Sequence, residues 1–125
     1  MKSSNRPLSP HLQIYKLPLS ARLSILHRLT GLALTAGAFV LVLWLLALAF
    51  NSGLAITIYS FFTTTIGKVF LIGWTFTFFY HFFNGMRHLL WDTANGLKVE
   101  CINRSGITVI LVSTVLTILV WTLGV

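Results

Sequence analysis

At 125 residues, 56% of them hydrophobic and only 9% charged, with a mean hydropathy of +0.86, the chain carries more apolar side chain than a domain of this size can bury within itself. That excludes a water-soluble domain and makes a bilayer the solvent. Nine Lys and Arg against two Asp and Glu give a net charge of +7, but the cations lie between apolar stretches rather than in a run, so they mark membrane topology and no nucleic-acid surface.

In chain order, residues 1–20 form an N-terminal segment in which Pro7, Pro10 and Pro18 forbid one long helix. It leaves a cationic strip, either a loose terminus or a docking surface for a soluble partner. No apolar run follows Met1 and no long Arg- and Ser-rich stretch is present, so a bacterial inner (plasma) membrane is expected in preference to a mitochondrial inner membrane. Ser20 is the expected N-cap, with the first helix starting near Ala21. Residues 21–125 read as a three-helix membrane anchor with spans at 29–50, 66–91 and 107–125, each near the roughly 20 residues a crossing needs. The uncharged stretch NSGLAITIYS reads as a first short loop. The polar stretch DTANGLKVECINRSG reads as a second, with a turn signal at Asn95-Gly96. The single cysteine, Cys101, allows no internal disulfide and reads as a reduced thiol in that second loop.

Lys2, Arg6, Lys16, Arg22 and Arg28 precede the first span, and Lys98 and Arg104 lie between the last two. The positive-inside rule therefore places the N-terminus and the second loop on the cytoplasmic or matrix side. Trp91 and Trp121 then fall near opposite interfaces.

The second span ends in HFFNGMRHLLWD. His81 lies eleven residues before Asp92, about 16 Å deep at 1.5 Å per residue. An imidazole that deep must hydrogen-bond, relay protons or ligate a metal. Haem iron is one such metal, and Gly85, one turn further on, would leave space for a planar macrocycle. Interhelical packing and proton relay remain open beside haem ligation on spacing alone. His88 shares the face of His81 and so cannot take the opposite axial position, while His11 and His27 read as too shallow to reach it. A bis-histidine haem would need its second ligand from another chain. In SARLSILHRLTG, Ser24, His27, Arg28 and Gly31 form one stripe at a helix start, suited to anionic or carbonyl oxygens such as haem propionates or a quinone; snorkelling of Arg28 to lipid phosphate is the plainer reading. Arg87 and Asp92 read as a structural pair, and the third span as packing.

Together RPLSPHLQIY (6–15), SILHRLTG (24–31) and HFFNGMRHLLWD (81–92) resemble the cytochrome b membrane-anchor subunits of succinate dehydrogenase, respiratory complex II. The resemblance implies an all-α chain of three transmembrane helices within a hetero-oligomeric bundle. It implies His81 as the axial ligand of haem b, with the other ligand supplied by a second small anchor subunit. It also implies Ser24 and Arg28 at a ubiquinone pocket, His27 and Arg28 near the haem propionates, and His88 as haem-side support. FAD and iron–sulfur clusters would belong to the flavoprotein and iron–sulfur subunits, since nothing in this chain could oxidise succinate. A haem-free anchor and a small cationic transporter are the alternatives. The transporter lacks a deep acidic residue, because neither Asp92 nor Glu100 lies far enough into the membrane.

Overall fold

The computed structural model describes residues 16–124, so the expectations placed on Lys2, Arg6, Pro7, Pro10 and His11 fall outside the described residues. Four helices follow in order: α1 (Leu19–Phe50), α2 (Ser52–Thr63), α3 (Thr65–Asp92) and α4 (Val99–Leu123). Three of them, α1, α3 and α4, are long and apolar enough to cross a membrane. No strand occurs among the described residues.

The helix boundaries depart from the hydropathy reading in three places. The stretch read as a first loop is mostly the 12-residue helix α2. Asn51 caps it by accepting a bond from the Leu54 N–H at 3.1 Å, and Thr64 caps α3 through the Gly67 N–H at 3.1 Å. Residues that look like loop punctuation are thus N-caps, and the helix between them is too short to span. At the chain's first helix, Pro18 rather than Ser20 occupies the N-cap position; its fixed φ suits a helix entrance. At the other end, α4 starts at Val99 rather than near 107, with Glu100 in its first turn, where a carboxylate complements the helix dipole. Cys101 therefore sits on a helix, as an exposed free thiol. Only residues 93–98 connect α3 to α4. There the turn falls at Thr93 and Ala94 rather than at the expected Asn95-Gly96; Ala94 has a φ of 58° and Gly96 one of 74°.

Polarity is arranged inside out. Leu23, Tyr80 and Val109 form a small apolar core flanked by Leu19, Phe76, Phe83 and Ile110. It lies where the first half of α1 meets the last half of α3 and the first half of α4. Beside it the interior is polar: Thr30, Asn84, Arg87, Ser113 and Thr117 are all buried. The apolar bulk points outward, as Phe39 and Phe50 do at 73% and 86% exposure. A bilayer rewards this arrangement, because lipid solvates the apolar exterior while buried polar groups find partners between helices. Tyr80, fully buried, donates its hydroxyl to the Leu23 carbonyl at 2.9 Å, tying α3 to α1. Gly106 allows α4 to come close: a Cβ there would lie 2.4 Å from Leu23 Cδ1.

Candidate functional site

The half of the bundle holding this core also gathers the histidines. His81 and His88 project from α3 two turns apart, and His27 comes from α1. The His27 and His81 rings stack with centroids 4.1 Å apart and planes 13° from parallel. The His88 ring lies 5.2 Å from His27 and meets Trp91 edge to face at 5.0 Å. His27 is therefore not too shallow to reach His81. Because α1 begins at Leu19, ten residues ahead of the uninterrupted apolar run, His27 sits about 12 Å along its helix, close to level with His81 at about 16 Å from the end of α3.

The protonation pattern of His81 follows from its neighbours. Its Nδ1 lies 3.2 Å from the His27 carbonyl oxygen and 3.2 Å from the Thr30 hydroxyl oxygen. A carbonyl can only accept, so Nδ1 carries the proton and donates it. The lone pair is left on Nε2, which has no hydrogen-bond partner among the described residues. A histidine held through one nitrogen with the other free is the arrangement a metal-ligating imidazole requires.

The small residues are placed differently from the expectation. The residue against His81 is Gly31, where an added Cβ would stand 3.0 Å from His81 Cε1, whereas one at Gly85 would stand 3.8 Å from His27 Cε1. Gly31 thus makes room for the His81 ring, whereas a methyl at Gly85 would only touch His27 at ordinary contact distance. His27 Nδ1 is buried with no partner among the described residues, an unanswered polar atom beside the stack. These observations fit a macrocycle bound at one axial position. The donor set fits only one histidine per iron, since stacked rings do not converge their nitrogens, and no group of three or more His, Cys, Asp or Glu among the described residues is arranged around a common metal position.

The stripe on α1 is split by packing. His27 and Gly31 face α3, while Arg28 is exposed and Ser24 half-buried on the adjoining flank. Neither has a side-chain hydrogen-bond partner among the described residues, so both are available to a group arriving from outside the chain.

Arg87 is not paired with Asp92, which is exposed. At 4% exposure, its guanidinium donates to Ser105 Oγ at 2.9 Å, Asn84 Oδ1 at 3.1 Å and the Ile102 carbonyl at 2.7 Å. It also lies over the Trp91 ring, 4.1 Å from its centroid. The early start of α4 is what supplies Ser105 and Ile102, so this helix does more than pack. Burying a cation in a membrane interior demands this degree of satisfaction, and the node fixes the α3–α4 crossing one residue from His88. Thr30, Asn84 and Arg87 are the site-forming residues that sequence reasoning did not assign.

The chain matches the model of the succinate dehydrogenase/fumarate reductase transmembrane subunit family over residues 2–120. It is 40% identical to the succinate dehydrogenase cytochrome b556 subunit of Rickettsia felis over 118 residues, covering 94% of this chain and 92% of that one. The corresponding subunit of Paracoccus denitrificans is 40% identical over 92% of this chain and 88% of its own length. The mitochondrial cytochrome b560 subunit of Sus scrofa is 43% identical over 90% of this chain and 68% of its own. With a family match over residues 2–120 and a relative at 40% identity covered over 92% of its length, the chain belongs to the succinate dehydrogenase/fumarate reductase transmembrane subunit family.

Proposed function

We propose that this chain is a membrane anchor of succinate:ubiquinone oxidoreductase that binds haem b jointly with a second small anchor subunit and forms part of the site where ubiquinone is reduced. The observation that carries the haem half is the position of His81 Nδ1, 3.2 Å from the His27 carbonyl, which assigns the proton to Nδ1 and leaves Nε2 free to ligate. Haem, when bound, supplies one-electron redox chemistry between the iron–sulfur clusters of a partner subunit and the quinone. The names of the relatives, cytochrome b556 and b560 subunits, agree with that group.

In this reading His81 would hold the haem iron from this chain, and the second anchor would supply the other ligand. His27, with its unpartnered Nδ1, and Arg28 stand toward the propionates. His88 braces the haem side through His27 and Trp91, Gly31 gives the His81 ring its room, and Gly85 would leave space beside the macrocycle. On the open flank Arg28 orients and polarises a quinone oxygen, with Ser24 as a second donor; the pocket is completed by the iron–sulfur subunit and the second anchor. FAD resides in the flavoprotein subunit. The N-terminal segment 1–20 and the 93–98 connector face the cytoplasm of a bacterial inner membrane, where the segment meets the soluble partners, and residues 21–125 form the anchor.

The test is a reduced-minus-oxidised optical spectrum of the purified complex carrying His81→Ala. Loss of the low-spin b-type signal while the subunits still co-purify agrees with the assignment. A signal that persists unchanged makes His81 a packing histidine of a differently ligated anchor, and the absence of the signal from the wild-type complex makes the anchor haem-free.

A further inference from the structure

Thr30 is one of several threonines in this chain whose hydroxyls donate to a carbonyl one turn back, as Thr35, Thr75 and Thr114 also do. That habit by itself signifies only a hydroxyl satisfied inside an apolar helix. Thr30 differs from Thr35 and Thr114 in meeting a donor from another helix; Thr75 does so too, accepting from Trp121 Nε1 at 3.3 Å, but of the four only Thr30 meets a histidine. It is 6% exposed, it donates to the His27 carbonyl at 2.8 Å, and its oxygen stands 3.2 Å from Nδ1 of His81 on another helix. Its single proton is spent on the carbonyl, so toward His81 the hydroxyl oxygen can only accept.

Nδ1–H of His81 therefore points between two acceptors on α1, the His27 carbonyl and the Thr30 hydroxyl, each 3.2 Å away. One acceptor fixes which nitrogen is protonated. A second acceptor at the same nitrogen also restricts the rotation of the ring about its Cβ–Cγ bond, a torsion that is otherwise broad. The His27 ring, stacked at 4.1 Å, closes one face, and Gly31 gives the ring edge its space.

We propose that Thr30 is a positioning residue for haem in this subunit: its hydroxyl, held by the His27 carbonyl, sets the plane of the His81 imidazole and keeps Nε2 as the ligating nitrogen. The inference rests on the reading of His81 as the axial ligand, and concerns α1 residues acting through His81 rather than touching the iron.

Thr30→Val preserves shape and removes the oxygen; Thr30→Ser restores it. In purified complexes of both variants, haem content is measured together with the g-values of the low-spin ferric haem in electron paramagnetic resonance. The g-values respond to axial ring orientation and are indifferent to turnover. The expected result is a shifted or broadened signal in Thr30→Val, with or without reduced haem content, and a wild-type signal in Thr30→Ser. Wild-type g-values and full haem content in Thr30→Val overturn the proposal, as does equal disturbance by both variants, which would assign the effect to packing rather than to the hydroxyl. His81→Ala is measured alongside. A signal that survives in His81→Ala removes the ligand assignment and this inference with it. A His81-dependent signal indifferent to Thr30→Val removes this inference alone.

Discussion

Replacing Arg87 by methionine keeps the length and apolar stem of the side chain while deleting the charge and its donors. The loss is not simply three hydrogen bonds. Ser105 keeps a partner, because its hydroxyl also donates to the Ile102 carbonyl at 3.1 Å. Asn84 does not: its Oδ1 is held by Arg87 and its Nδ2 already has no partner among the described residues, in a side chain that is 0% exposed. Charge-assisted bonds of this kind contribute about 1.5–3 kcal/mol each, and the orphaned amide costs a further ~1–3 kcal/mol. Against this, removing a buried cation relieves a desolvation penalty of several kcal/mol. The net expectation is a destabilisation of about 2–4 kcal/mol for Arg87→Met, at the upper end of what single substitutions do. The double variant Arg87→Met/Asn84→Leu removes both ends of the interaction, and deleting both partners is far milder than deleting one. Thermal denaturation of the detergent-solubilised complex, followed by tryptophan fluorescence, gives the comparison. The single variant should melt well below wild type and the double should recover most of the loss. A double variant as unstable as the sum of its two single changes would show that Asn84 and Arg87 are not coupled, and the account of this buried node would fail.

Other expectations follow from the same geometry. Arg28→Met should raise the KM for ubiquinone by about tenfold or more, the loss expected of one charge-assisted bond, with a b-type signal still present because His81 is intact; an unchanged KM would remove Arg28 from the quinone site. Because Cys101 is exposed near the start of α4, a membrane-impermeant maleimide should label it from the cytoplasmic face of inverted vesicles and not from the opposite face. Reversed labelling would invert the topology. Gly37 lies under Trp74, where an added Cβ would stand 2.2 Å from the indole; Gly37→Ala should therefore destabilise the complex by about 1–3 kcal/mol through overpacking, and Gly37→Ala/Trp74→Leu should recover much of it. An unaffected single variant would mean that this contact yields at no cost.

Hydropathy located the spans because a bilayer imposes the same length and apolarity on each crossing: α1 and α3 contain the first two, and α4 ends at Leu123, within the third. It could not find α2, a 12-residue helix too short to register as a crossing. Nor could it find the polar first turns of α4, which lie ahead of the apolar run. Those turns carry Ile102 and Ser105, so missing them hid the partners of Arg87 and made Asp92, five residues away, look like its counter-ion. Helical periodicity placed His81 and His88 on one face without difficulty. It could not bring His27 against them, because depth was counted from the apolar run at 29 and the helix begins at Leu19. Thr30 was invisible for a different reason. A hydroxyl that back-bonds to its own helix looks the same in sequence whether or not a ring from a neighbouring helix rests on its remaining lone pairs, and only packing of α1 on α3 separates the two cases.

The central claim is that this chain couples succinate oxidation to quinone through partner subunits and a haem it half holds. It is tested most directly by isolating the assembly from native membranes through an affinity tag on this chain, then adding succinate and ubiquinone and following quinone reduction by absorbance. The account predicts succinate-dependent reduction by the isolated material. Isolation of this chain with intact membrane partners but no succinate-dependent quinone reduction would contradict it.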